Sequence, residues 1–133
     1  MTDGLIYEQK IDLPYRYTVG AAQRAFLRGL AEGRLLASTG GGERFVPARP
    51  FAPDGRRLEG LEELPARGRV LAATTAHYLP DAPVFGLVLI DGAAAPMLHR
   101  LESELEAGTE VEAVWAEGAE PSITAIRHFR PAQ

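Results

Sequence analysis

Three arginines carry the most chemical interest in this chain: Arg49 in a proline-bounded segment, and Arg127 and Arg130 near the C-terminus. A guanidinium is a planar fork of donors that matches phosphate and carboxylate oxygens, so an arginine on a half-covered strand can hold an anion by charge-assisted hydrogen bonds. Arg127 alternates with Ile123, Ala125 and Phe129, unusual company for a charge on a face turned toward a core. Three readings stay open for it: contact with a phosphorylated ligand, pairing with a glutamate across a subunit interface, and plain exposure to solvent. His77 and Tyr78 end a strand-like run beside a proline-bounded loop, and loops at barrel rims often form interfaces.

Other groups are less promising. His77, His99 and His128 sit on different strand-like segments, whereas a zinc or iron site needs them to converge with a carboxylate. Ser38, Ser103 and Ser122 lack a nucleophile elbow or any local sign of activation. Gly40-Gly41-Gly42-Glu43-Arg44 lacks the lysine and hydroxyl residue that end a phosphate loop, and reads as a turn. Glu102, Glu104, Glu106, Glu110 and Glu112 read as a solvated face around a turn rather than an acid–base pair. The sequence has no cysteine, which removes disulfides, thiolate metal sites and a thiol nucleophile. No catalytic residue is expected.

The formal net charge is −4, with 14 basic residues against 18 acidic ones, and this argues against a general nucleic-acid binder, which needs a basic face to displace counterions. Lys10 is the only lysine and asparagine is absent, a bias that reads as the imprint of a GC-rich genome. The first residues lack the basic-then-apolar pattern of a signal peptide, and no apolar run approaches the ~20 residues that cross a bilayer. A cytoplasmic protein with no membrane partner is expected.

These residues must be positioned by elements, and the 133 residues suffice for one domain with a real core. Residues 1–19 read as an extended arm, because Tyr7, Ile11, Leu13, Tyr15, Tyr17 and Val19 alternate loosely with polar neighbours and Pro14 argues against a helix. The arm would dock on its own domain or on a partner. Residues 20–33 predict a helix ended by Gly33. Residues 34–66 predict two turns joined by a short ribbon. Strands are expected at Gly68–Tyr78, Pro83–Asp91, Ala95–Leu101, around Val111–Trp115 and along Ile123–Phe129, with a short helix or turn at Glu102–Gly108. The nearly unbroken apolar run from Val84 to Ile90 reads as a strand buried on both sides. Five short strands with an insertion between the third and fourth are the pattern of an OB-fold barrel. The expected fold is therefore mainly β, divided into an arm and helix (1–33), a ribbon (34–66) and an OB barrel (67–133).

In this order and spacing the residues resemble the thiolase-associated OB-fold family, a domain of unknown function whose members carry an N-terminal rubredoxin-like zinc ribbon. The resemblance rests on Tyr15-Arg16-Tyr17-Thr18-Val19-Gly20, on Phe26 with Gly29-Leu30-Ala31-Glu32-Gly33, and on the pair Leu35-Leu36. It continues through Pro47-Ala48-Arg49-Pro50, Gly68-Arg69-Val70, Leu105 with Gly108 and Val111, and Phe129-Arg130-Pro131, spanning about residues 15–131. Family members bind thiolase-like acyltransferases and help shape their acyl-CoA channel. The Tyr-x-Tyr-x-x-Gly opening resembles the subgroup paired with thiolases of the lipid-transfer-protein kind.

The resemblance implies a non-catalytic accessory subunit of a hetero-oligomer whose substrates are acyl-CoA thioesters of fatty, aromatic or steroid side-chain type. It also implies coenzyme A thioester as the ligand for Arg127 and its neighbours, with no tightly bound cofactor. One departure is large. The family's two Cys-x-x-Cys pairs fall at Ser38 and Gly41 and at Ala52 and Gly55, none of which can hold zinc, so the ribbon is degenerate and metal-free. A structural zinc site contributes on the order of 10 kcal/mol, and packing of Phe45, Val46 and Phe51 or docking on a partner must replace it. Two other classes are weighed beside this one, a single-stranded nucleic-acid module on the same barrel and a stand-alone protein that binds or turns over acyl-CoA.

Overall fold

The computed structural model describes residues 13–118 and 122–133, and the side chains from residue 21 onward. Helix α1 spans Leu13–Ala31. It begins seven residues before the Gly20 start that the sequence pattern predicts, so residues 13–19 are helical rather than extended. Pro14 misled the pattern: in a first turn the amide has no helical partner to lose, and proline is tolerated there. Residues 1–12 of the expected arm lie outside the described residues. The C-terminal stop is as predicted. Gly33 takes φ +76°, its N–H donates to the Leu30 carbonyl at 3.0 Å, and the Arg34 N–H reaches back to Gly29 at 2.8 Å. This is the paired 5→2 and 6→1 bonding of a Schellman motif.

The reversal at Gly33 lays a three-stranded antiparallel sheet against the helix. Strand β1 (Leu35–Gly40) lies between β2 (Glu43–Phe45) and β3 (Gly60–Leu64). Gly40 pairs with Glu43, which leaves Gly41 and Gly42 as a two-residue hairpin loop, with φ +61° and +81°. Positive φ at both positions defines the hairpin turn whose twist matches its strands, and it explains the glycine run.

Five strands then close a barrel: β4 (Arg67–Thr75), β5 (Val84–Ile90), β6 (Met97–Leu101), β7 (Glu110–Trp115) and β8 (Ile126–Pro131). Their order around the barrel is β4-β5-β6-β8-β7, antiparallel except at the β6–β8 contact, where Leu101 lies beside Phe129. The fold is mainly β with a closed five-stranded mixed barrel, as expected. The segment between β6 and β7 is built of bends and turns without helix. A single 3-10 turn, Ile123–Ala125, precedes β8. Among the described residues no helix is long and apolar enough to cross a membrane.

One buried cluster runs through all these parts. Phe26 and Leu30 from the helix, Leu35 and Leu64 from the sheet, and Val70, Val88, Leu101, Val111 and Phe129 from the barrel belong to it. A second, smaller cluster joins Phe45, Ala52 and Leu58. Gly68 marks the tightest backbone approach in the barrel wall, because a Cβ there would stand 2.0 Å from the Leu89 carbonyl oxygen. Strand β5 corrects an expectation. Its apolar run suggested burial on both sides, yet only Gly86, Val88 and Ile90 are buried, while Leu87 is 39% exposed and Phe85 and Leu89 are half-buried.

Candidate functional site

The alternation of Ile123, Ala125, Arg127 and Phe129 does not survive as one strand face. Val114 pairs with His128 and Trp115 with Ile126, so Arg127 is the extra residue of a β-bulge on β8. A bulge re-aims the inserted side chain. Phe129 is fully buried while Arg127 is exposed. Arg127 lines a surface cavity of about 290 Å³ together with Arg100, His128, Glu102, Asp81 and Ala82. Asp81 and Ala82 take φ +65° and +43°, consecutive left-handed residues that are uncommon outside glycine. They belong to the β4–β5 loop, which also carries His77 and Tyr78, both exposed, Tyr78 by 86%. His128 Nε2 stands 4.0 Å from a Glu102 carboxylate oxygen.

Arg130 lies three residues from Arg127 but serves the barrel wall. Glu112 is its direct neighbour on β7, and Arg130 Nε and one terminal nitrogen donate to the same Glu112 oxygen at 3.2 and 3.0 Å. Arg49 sits elsewhere, on a second cavity of about 440 Å³ with Gln23, Phe45, Phe51, Ala95 and Pro96. Its side chain is exposed, and its backbone N–H donates to Ser38 Oγ at 2.6 Å. The five candidate residues thus occupy four places, and only Arg127 shares a cavity with other charged groups. Arg100, which the sequence reading passed over, joins Arg127 there. Its signal was present in the alternation of exposed Leu98 and Arg100 with buried Met97, His99 and Leu101 along β6.

Of the four positions expected to be vestigial zinc ligands, Ser38 lies within β1, Gly41 on the turn that follows it, and Ala52 and Gly55 on a second tight turn. The second turn is tied by the Gly55 N–H to the Ala52 carbonyl at 2.9 Å and the Ala52 N–H to the Arg56 carbonyl at 2.8 Å. These residues do not fit a metal. Ser38 is buried and its oxygen is occupied by the Arg49 amide, and the other three bring no donor atom. A cation of another kind bridges the turns. Arg56 extends from the second turn to the first, donating to the Gly40 carbonyl at 3.4 Å and to a Glu43 carboxylate oxygen at 2.5 Å, with Asp54 at 3.7 Å. A Cβ at Gly41 would fall 2.0 Å from this guanidinium, so Arg56 fills the space beside that glycine. The hydrogen bond with Glu43 holds its pKa above the ordinary arginine value. Among the described residues no cluster of histidines and carboxylates is arranged to hold a metal ion.

Among the described residues His99 is the one buried titratable side chain. Its Nδ1 accepts the Arg100 N–H at 2.8 Å, which leaves Nε2 to donate to the Ile123 carbonyl at 3.2 Å. Burial pushes its pKa below the usual histidine value. Both nitrogens face backbone, so the ring is a structural tie between β6 and the 3-10 turn.

No family model matches the chain, and no curated protein matches it. Solved structures do. Its fold is shared with a DUF35-family protein of unknown function from Sulfolobus solfataricus, at a TM-score of 0.66 and 17% identity, over 91% of this chain and 92% of that one. It is also shared with a chain of the Ltp2–ChsH2(DUF35) aldolase, at a TM-score of 0.63 and 20% identity, over 82% of this chain and 93% of that one. The shared feature at these identities is the fold, a helix and small sheet leading into a closed OB-type barrel.

Proposed function

We propose that this chain is a non-catalytic accessory subunit of a thiolase-type acyltransferase or aldolase complex that acts on acyl-CoA thioesters. The observation that carries this reading is the fold it shares, over most of its length, with a chain of the Ltp2–ChsH2(DUF35) aldolase. The residue chemistry agrees with it. The sequence offers no thiol, Ser38 spends its oxygen on a backbone amide, and His99 spends both nitrogens on backbone. A chain so equipped contributes surface and shape to another chain's reaction.

On this reading the small sheet is a zinc ribbon that has lost its metal, with Arg56 in the bridging role. We assign coenzyme A phosphates to the cavity that Arg100 and Arg127 line from neighbouring strands, beside His128. Arg130 belongs to its Glu112 pair instead. The complex is a hetero-oligomer working in the cytoplasm.

The test is co-purification of a tagged copy from its own source, with every stoichiometric chain identified by mass spectrometry. A thiolase-type chain in near-equal amount is the expected result. Robust thiolysis or hydrolysis of acyl-CoA by the pure chain would overturn it. In the reconstituted complex, Arg127→Met should weaken acyl-CoA affinity several-fold and leave assembly intact.

A further inference from the structure

The second cavity, of about 440 Å³, has a different chemistry from the one beside Arg127. Three pieces of chain wall it: helix α1 at Gln23, the segment from Phe45 to Phe51, and the β5–β6 loop at Ala95 and Pro96. Phe45, Val46 and Ala48 are buried and Phe51 is half-buried, so the lining is largely apolar. Backbone hydrogen bonds hold the walls in place. The Ala94 N–H donates to the Arg44 carbonyl at 2.7 Å and the Leu58 N–H to the Pro50 carbonyl at 2.9 Å. The Arg49 N–H is fixed on the buried Ser38 hydroxyl. Pro47, Pro50 and Pro96 lock φ at three further points of the lining. The cavity is thus formed in advance of any ligand, and its volume falls within the ~300–1,000 Å³ of small-molecule sites.

Arg49 is the one charged residue among those that line it, and none of them is acidic. The cavity beside Arg127 differs in this, since Asp81 and Glu102 share it with the cations. Arg49 takes part in no ion pair among the described residues. The carboxylates of the neighbouring turns and sheet are engaged elsewhere, Glu43 and Asp54 with Arg56, and Glu62 with Arg44. Gln23 is exposed, and its amide adds a neutral donor to the same cavity.

We infer that this cavity binds a small apolar carboxylic acid, its hydrocarbon or aryl body against Phe45 and Phe51 and its carboxylate held by Arg49 and Gln23. Apolar walls with a few polar groups to fix orientation are the make-up of a small-molecule site. Charge sets the class of head group. A guanidinium and a carboxylate match in charge and in planar geometry. A phosphate monoester brings about two charges, and one cation among apolar walls leaves part of that charge unmet. The site is separate from the coenzyme A cavity, and the inference stands whether or not the chain is an accessory subunit.

Calorimetric titration of the full chain with phenylpropionate, phenylpropanol, acetate and phenyl phosphate tests it. Phenylpropionate should bind, with the alcohol and acetate each weaker by roughly tenfold, the effect of a hydrogen bond to a charged group. Ring signals of Phe45 and Phe51 should shift in the same titration. Arg49→Met should weaken the acid by roughly tenfold and leave the alcohol unchanged, and Arg49→Lys should restore part of the loss. Both variants should fold as the parent does, because the Arg49 side chain is exposed and the bond to Ser38 comes from its backbone. Arg24→Met is the control, an exposed helix arginine that does not line the cavity, and it should bind the acid as the wild type does. Equal affinity for acid and alcohol, or acid binding that Arg49→Met leaves intact, would overturn the inference. Tighter binding of phenyl phosphate, lost in Arg49→Met, would overturn the carboxylate and assign the cavity to phosphate. Absence of binding by all four probes would overturn the site. The accessory reading is tested separately by co-purification, so either can fail alone.

Discussion

The His99 ring stands edge-on to the Phe129 ring, with centroids 5.4 Å apart and planes at 81°. Phe129 is fully buried at the β6–β8 contact, where the barrel closes in parallel, so the imidazole is part of the barrel's inner packing. A proton on His99 would have to sit among apolar groups, which is why its pKa is lowered.

Stability should therefore fall in mild acid. Unfolded His99 binds a proton near the ordinary histidine value of 6.5, while the folded ring resists it to lower pH. Where the unfolded state holds more protons, stability rises with pH. The contribution is full above about pH 6.5 and is lost as pH falls through the interval down to the folded value. Urea titrations between pH 8 and pH 5 should show a declining midpoint, and His99→Gln should flatten part of that decline at the cost of a lower midpoint at pH 8.

The Arg56 bridge predicts insensitivity to chelators together with sensitivity to charge. EDTA should leave the thermal midpoint of the wild-type protein unchanged. Arg56→Met should lower it by a few degrees, and Arg56→Lys should recover only part of the loss, because one ammonium cannot span the Gly40 carbonyl, Glu43 and Asp54. Calorimetric scans at low and high salt would show the wild-type advantage shrinking as the ion pairs are screened.

Ser38→Ala leaves the Arg49 amide without the acceptor it meets at 2.6 Å. An unmet buried donor costs about 1–3 kcal/mol. Ser38 is only 2% exposed, so water is poorly placed to substitute. Equilibrium unfolding should register a loss in that range, with no change in far-ultraviolet circular dichroism.

Gly68→Ala places a methyl 2.0 Å from the backbone oxygen of Leu89, an atom that cannot swing aside. Overpacking of this kind costs about 1–3 kcal/mol, and the β4–β5 pairing at Gly68 and Ile90 must open to admit it. Denaturant midpoints should drop accordingly, and amide exchange should accelerate first in β4 and β5.

The barrel strands were legible because each turns one face to a core, and that face writes a period of two into the sequence: Met97, His99 and Leu101 are buried between exposed neighbours. The Gly33 stop and the Gly41-Gly42 turn were legible because they depend on single residues with special backbone freedom. Three features were not. Pro14 signals a break or a first turn equally well. The bulge at Arg127 is decided by pairing with β7, and residues 123–129 alone alternate as a plain strand would. The bridge by Arg56 joins Gly40, Glu43 and Asp54, two of which lie more than ten positions away in the chain. At the candidate site, Arg127 was found for an alternation that the bulge dissolves, and Arg100 was missed although its own strand announced it.

The buried cluster that threads helix, sheet and barrel has a consequence for heredity. Cutting the chain near residue 66 would strip the apolar cover from Leu35 and Leu64 on one side and from their barrel neighbours on the other. The segments therefore cannot be shuffled between proteins one at a time.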